Sequence, residues 1–144
     1  MSNVEKANRL FSEGFSCSQA ILAAYSKEFS LEEETALKIA SSFGGGIGGR
    51  RELCGAVSGA LMIIGLKYGR INAKDIESKN INNFYVNEYV KKFKDIYGTY
   101  SCKEILNGFV IDNKNRTLKT SCSDLVNDAA VILEELLNVG SDVK

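Results

Sequence analysis

Residues Ile81 to Gly98 read Ile-Asn-Asn-Phe-Tyr-Val-Asn-Glu-Tyr-Val-Lys-Lys-Phe-Lys-Asp-Ile-Tyr-Gly. Apolar side chains recur at Ile81, Phe84, Tyr85, Tyr89, Phe93, Ile96 and Tyr97, the three-and-four spacing of one helix face, and Gly98 ends the stripe. The same period runs outward in both directions. Val4, Ala7, Leu10 and Phe11 make a short face, and Ala20, Ile21, Ala24 and Tyr25 another. Ser30 to Glu33 reads as an S-x-x-E capping box before Ala36, Ile39, Ala40 and Phe43, with Gly44 as the stop. Leu53 to Gly69 is mostly apolar, and Leu125, Val126, Ala129, Ile132, Leu133, Leu136 and Leu137 form the last stripe. No segment alternates with period two. The expectation is an all-α chain: one domain over residues 1–144, folded as a single compact bundle of six or seven helices with a glycine-rich loop.

Composition narrows the function. The 144 residues are 44% hydrophobic and 25% charged, which suits a globular core, and the formal net charge is +0, which gives no electrostatic pull on nucleic acid. The N-terminus carries no apolar signal segment, and Ala60 to Leu66 is too short to span a bilayer. A cytoplasmic protein that binds neither membrane nor nucleic acid is expected. The chain has no His, so Ser–His and Cys–His dyads and imidazole ligation are excluded. Four cysteines carry the remaining special chemistry, and in a reducing compartment they point to catalysis, redox sensing or metal binding.

Cys17, Cys54, Cys102 and Cys122 are separated by 37, 48 and 20 positions, so no C-x-x-C exists and zinc-ribbon spacing is absent. Their neighbours are more telling. Ser16-Cys17-Ser18-Gln19 and Ser101-Cys102-Lys103-Glu104 match the capping box, and Ser121-Cys122-Ser123-Asp124 nearly does. Each cap would make its Cys the first residue of a helix, and Cys54 also lies near a helix start. Unpaired N–H groups and the helix dipole favour a thiolate there, the form that attacks disulfides and binds metals. Arg50, Arg51 and Lys103 would add to this, while Glu52, Glu104 and Asp124 oppose it. All four Cys begin apolar faces, as in Cys17 with Ala20, Ile21 and Ala24, or Cys102 with Ile105, Leu106 and Phe109. They therefore meet if those helix ends gather at one end of the bundle. Read singly, each is a small core hydrophobe.

Gly44-Gly45-Gly46-Ile47-Gly48-Gly49 matches GxGxxG in form, but it follows a helix instead of a strand and lacks the P-loop Lys. Close backbone approach with φ > 0 is the better reading. Gly44, Gly45, Gly46, Gly48 and Gly49 are thus candidates to line the cysteine site with N–H groups; a tight structural connection and an anion-binding loop are the alternatives. Gly55 and Gly59, with Ala56 and Ala60, give the following helix a smooth face for a neighbouring helix or a two-fold mate.

Cys54-Gly55-Ala56-Val57-Ser58-Gly59, with the Ser16-Cys17-Ser18-Gln19-Ala20, Phe43-Gly44-Gly45-Gly46, Cys102-Lys103-Glu104-Ile105-Leu106 and Cys122-Ser123-Asp124-Leu125-Val126 segments, resembles the C_GCAxxG_C_C family of redox-active proteins. The resemblance runs from about Val4 to Leu137. It implies a redox role for Cys17, Cys54, Cys102 and Cys122. A similar module forms the iron–sulfur part of split-Soret cytochromes, which implies cluster ligation; haem is not expected, since C-x-x-C-H and His are absent. Two chemistries stand level: electron transfer through a cysteine-ligated iron–sulfur or other metal centre, and thiol–disulfide exchange with a partner protein or small thiol. Structural zinc ranks third. A non-redox helical interaction module, a homodimer with buried structural cysteines, is the alternative.

Overall fold

The computed structural model describes residues 1–106 and 122–138. Among them are seven α-helices: α1 (Asn3–Ser12), α2 (Cys17–Tyr25), α3 (Glu33–Ala40), α4 (Gly55–Tyr68), α5 (Ile76–Tyr97), α6 (Cys102–Leu106) and α7 (Cys122–Leu137). The all-α expectation holds. None of the described helices is long and apolar enough to cross a membrane.

The short helix α2 is the centre of the bundle. Seven of its nine residues, Ser18 and Ala20 to Tyr25, are buried, and it packs on α1, α3, α4 and α7. A helix so enclosed must be apolar all round, and the run Ala-Ile-Leu-Ala-Ala-Tyr meets that need. Its buried serine hydroxyl, Ser18 Oγ, donates to the Ala40 carbonyl at 2.8 Å, which spares the core an unpaired polar atom. Helix α4 lies against α2 at close range. A Cβ on Gly59 would come within 2.9 Å of the Ser18 carbonyl oxygen, so only glycine permits the approach. The small-residue face of α4 is therefore filled within the chain by a neighbouring helix, and is not the surface of a two-fold mate.

Three tyrosine hydroxyls fasten α7 to the rest. Tyr25 donates to Glu134 Oε2 at 2.9 Å, Tyr89 to the Ala129 carbonyl at 2.9 Å, and Tyr97 to Asp128 Oδ2. Tyr25 and Tyr89 are fully buried.

The expected capping box at Ser30 does not form. The chain first makes a 3₁₀ turn over Ser26–Phe29, closed by Ser30 in a left-handed conformation (φ 60°), and Leu31 N–H returns to the Ser26 carbonyl. The cap of α3 falls instead on Glu32, without a side-chain hydrogen bond. Helix α5 begins at Ile76, five residues before its apolar stripe, because Asp75 accepts from Ser78 N–H and sets the start.

Candidate functional site

The Ser16 box is complete. Its hydroxyl accepts from Gln19 N–H and its amide donates to Gln19 Oε1, which makes Cys17 the first residue of α2 as the sequence indicates. The second box is half formed. Ser101 Oγ accepts from Glu104 N–H at 3.3 Å, but the Glu104 carboxylate is taken by Thr99 Oγ1. Cys102 still opens α6, and Cys122 opens α7. The cap at Ser121, the residue Phe109 and the loop from Phe109 to Thr120 lie outside the described residues. Cys54 differs from the other three: it is itself the N-cap of α4, with backbone angles of −56° and 129°.

An isolated antiparallel bridge between Leu53 and Ser101 joins two of these starts. Cys54 N–H donates to the Tyr100 carbonyl at 2.8 Å and Cys102 N–H to the Glu52 carbonyl at 2.5 Å. No sequence alternation announces a bridge one residue long.

Between Phe43 and the bridge the glycine loop winds against the usual hand. Gly45, Gly46, Ile47, Gly48 and Gly49 all have positive φ, between 58° and 81°. Such a run costs L-residues roughly 1–2 kcal/mol each, which is why glycine dominates it. Gly48 N–H returns to Ser42, Gly49 N–H to Gly44, Arg51 N–H to Gly45 and Glu52 N–H to Gly46. At Gly46 a Cβ would sit 2.6 Å from both Arg51 Cα and Glu52 N.

These elements enclose a cavity of about 260 Å³ lined by all four cysteines. Gly45, Gly46, Gly49 and Gly55 form walls without side chains; Ser16, Arg51, Phe11, Leu106 and Leu125 complete it. The convergence expected from the sequence is thus present. Two of the five loop glycines, Gly44 and Gly48, do not line the cavity. Gly44 packs on Ser16 instead, and the Gly48 and Gly49 amides are spent inside the loop. Arg51 supplies the nearby positive charge. Arg50 is paired with Glu52 at 3.3 Å on the surface. The residues that sequence reasoning missed are the cavity's apolar walls, Phe11, Leu106 and Leu125; periodicity marks them as core-facing but not as site-facing.

Cys54 is 2% exposed, and Cys17, Cys102 and Cys122 are half-buried; all four are free thiols. Cys17 and Cys122 both line the cavity. The neighbouring Cys122 thiol holds Cys17 well above the ordinary thiol range; burial and the charges of the other three cysteines add to this. The Cys17 thiol beside it pulls Cys122 down to about 6 against its burial, with help from Arg51. Burial pushes Cys54 up to about 11, although the Val57 and Ala56 amides favour its thiolate. Burial and the Cys122 charge raise Cys102, while Arg51 opposes them. Four thiolates cannot share this cavity unless a cation offsets their repulsion.

An all-sulfur donor set without imidazole fits iron–sulfur chemistry. A single zinc ion fits less well. At about 2.3 Å per Zn–S bond, tetrahedral ligands stand within about 3.8 Å of one another. Among the described residues no three Cys, His, Asp or Glu side chains are gathered closely enough to hold one ion. A cluster of several irons sets its terminal sulfurs further apart.

A comparison with curated proteins and one with solved structures found no match. The profile of a family described as "Putative redox-active protein (C_GCAxxG_C_C)" matches residues 15–136, a span that contains all four cysteines and the glycine loop. The chain therefore belongs to the C_GCAxxG_C_C family of redox-active proteins.

Proposed function

We propose that Cys17, Cys54, Cys102 and Cys122 ligate an iron–sulfur cluster and that the protein carries electrons for a partner redox protein. The observation behind this reading is that thiols from four separate helix starts line one cavity. When bound, the cluster supplies one-electron transfer. The chain's own residues do the rest. Helix starts and Arg51 favour the anionic ligands, the side-chain-free glycine wall leaves room, and Phe11, Leu106 and Leu125 limit water.

A specific observation favours a second reading. Cys17 and Cys122 line one cavity, and their opposite shifts, one raised and one lowered, suit a dithiol in exchange chemistry. The Cys122 thiolate attacks a partner disulfide, forms a mixed disulfide and releases one partner thiolate. Cys17, once deprotonated, attacks the Cys122 sulfur and releases the second partner thiolate. The chain ends as a disulfide and the partner gains two electrons.

Protein prepared without oxygen separates the two. The measurements are visible absorption, iron and acid-labile sulfide per chain, and thiols counted before and after mild oxidation. A brown protein whose iron and sulfide are lost on Cys→Ser substitution at any of the four positions supports the cluster. A colourless, iron-free protein that reversibly loses two thiols supports exchange. Four inert thiols without metal leave the non-redox helical module.

A further inference from the structure

We propose that the outer face of α5 pairs two copies of this chain in an antiparallel, two-fold homodimer centred on Phe84. Helix α5 buries only Tyr89, Phe93 and Tyr97, all in its second half. In its first half Tyr85 stacks on Tyr68 of α4 and Val86 packs on the core, while Ile76, Ile81 and Phe84 remain 54%, 40% and 57% exposed. A lone exposed apolar side chain is ordinary, but these share one element with a charge-free run, residues 80–87, bounded by Lys79 and Glu88.

The charges around that run select the occupant. Glu77, Phe84 and Lys91 are seven residues apart, so they lie along one stripe of the helix, opposite the buried tyrosines. About a two-fold axis through Phe84, antiparallel helices bring each position n residues before Phe84 against the one n residues after it. Glu77 then faces Lys91 of the second copy, and Lys91 faces its Glu77, with Phe84 on Phe84 between the two pairs. A parallel arrangement would set Glu on Glu and Lys on Lys. The stripe is therefore self-complementary in one orientation only, which is the signature of an isologous contact. Glu77 and Lys91 are exposed and take part in none of the three salt bridges found among the described residues.

Sedimentation equilibrium of the full chain, with reductant present to exclude intermolecular disulfides, tests the pairing over a concentration series. A monomer–dimer equilibrium is expected. Phe84→Glu, Lys91→Glu and Glu77→Lys should each weaken it about tenfold or more. Because all three positions are exposed, each variant should keep the wild-type circular dichroism spectrum. The decisive sample is an equimolar mixture of Glu77→Lys and Lys91→Glu chains. Each pairs poorly with itself, yet the mixture has both Glu–Lys contacts and should dimerise as the wild type does. A monomer at every concentration up to about 1 mM would overturn the proposal. So would a dimer indifferent to these substitutions, or a mixture no better than its parts, either of which would show that the chain does not pair through this stripe.

Discussion

Leu53 and Ser101 face each other across a single antiparallel bridge, although 48 positions separate them in the chain. The relationship fixes two thiols at once. In antiparallel geometry the residues that follow such a pair, here Cys54 and Cys102, are diagonal neighbours on the same face. Their amides are the two donors of the bridge. The backbone thus sets the Cys54–Cys102 spacing, while Cys17 and Cys122 meet through the packing of α2 against α7.

The reactivity of Cys122 depends on its neighbour. In reduced, metal-free protein near pH 7, Cys122 should be the first cysteine alkylated by iodoacetamide and buried Cys54 the last. Cys17→Ala removes the neighbouring thiol and should slow Cys122 at pH 7 several-fold, whereas Cys17→Ser keeps a hydroxyl there and should slow it less. Peptide mass spectrometry gives the order; an unchanged Cys122 rate in Cys17→Ala would show that Cys17 does not govern it.

Alkali should weaken the fold. Cys54 ionises at about 11 in the folded protein, above the ordinary thiol value near 9, so the unfolded chain loses this proton first. The resulting stability is complete below pH 9 and is lost as pH rises toward 11, an effect of about 2–3 kcal/mol. Buried Tyr25, Tyr89 and Tyr97, all raised by burial, act in the same direction at higher pH. Urea unfolding at pH 8 and pH 11 should show a larger loss for wild type than for Cys54→Ala; equal losses would remove Cys54 from the account.

The two ends of the glycine loop's tolerance lie at Gly46 and Gly48. Both have positive φ, but a Cβ at Gly48 meets open space and one at Gly46 meets the Arg51 backbone. Gly48→Ala should cost about 1–2 kcal/mol from handedness alone. Gly46→Ala should cost about 3–4 kcal/mol, because the backbone beside Arg51 must also move. Thermal unfolding of the two variants checks the difference, and equal midpoints would argue against the close approach.

How much of this was legible in the sequence depended on range. The Ser16–Gln19 box is a four-residue signal and reports the start of α2 correctly. The Ser30–Glu33 signal has the same form but loses to the Leu31–Ser26 backbone bond, which turns Ser30 left-handed. Gathering Cys17, Cys54, Cys102 and Cys122 was inferred because each heads an apolar face. The bridge that spaces two of them, and the packing of α2 on α7 that brings the other two to one cavity, arise from pairings across tens of residues that no local pattern encodes. Gly44 and Gly48 show the same limit. Their identity announces close packing or unusual backbone, but the path of the loop through space decides which glycines reach the cavity.

The tyrosines that hold α7 should differ in measurable ways. Tyr89→Phe gives up one hydrogen bond to the Ala129 carbonyl, worth about 1 kcal/mol. Tyr25→Phe and Tyr97→Phe leave Glu134 and Asp128 without their partners and should cost about 1.5–3 kcal/mol each. Urea titration at pH 7 separates the three; a Tyr89→Phe loss larger than the other two would reverse the order.

The core contains Cys54 but draws apolar side chains from all seven described helices, and those tyrosine links hold it from within. Hydrocarbon burial and hydrogen bonds therefore contribute to its cohesion. Treatment of the protein with a chelator should leave most of its helical circular dichroism intact, unlike small metallodomains that collapse into coil when stripped.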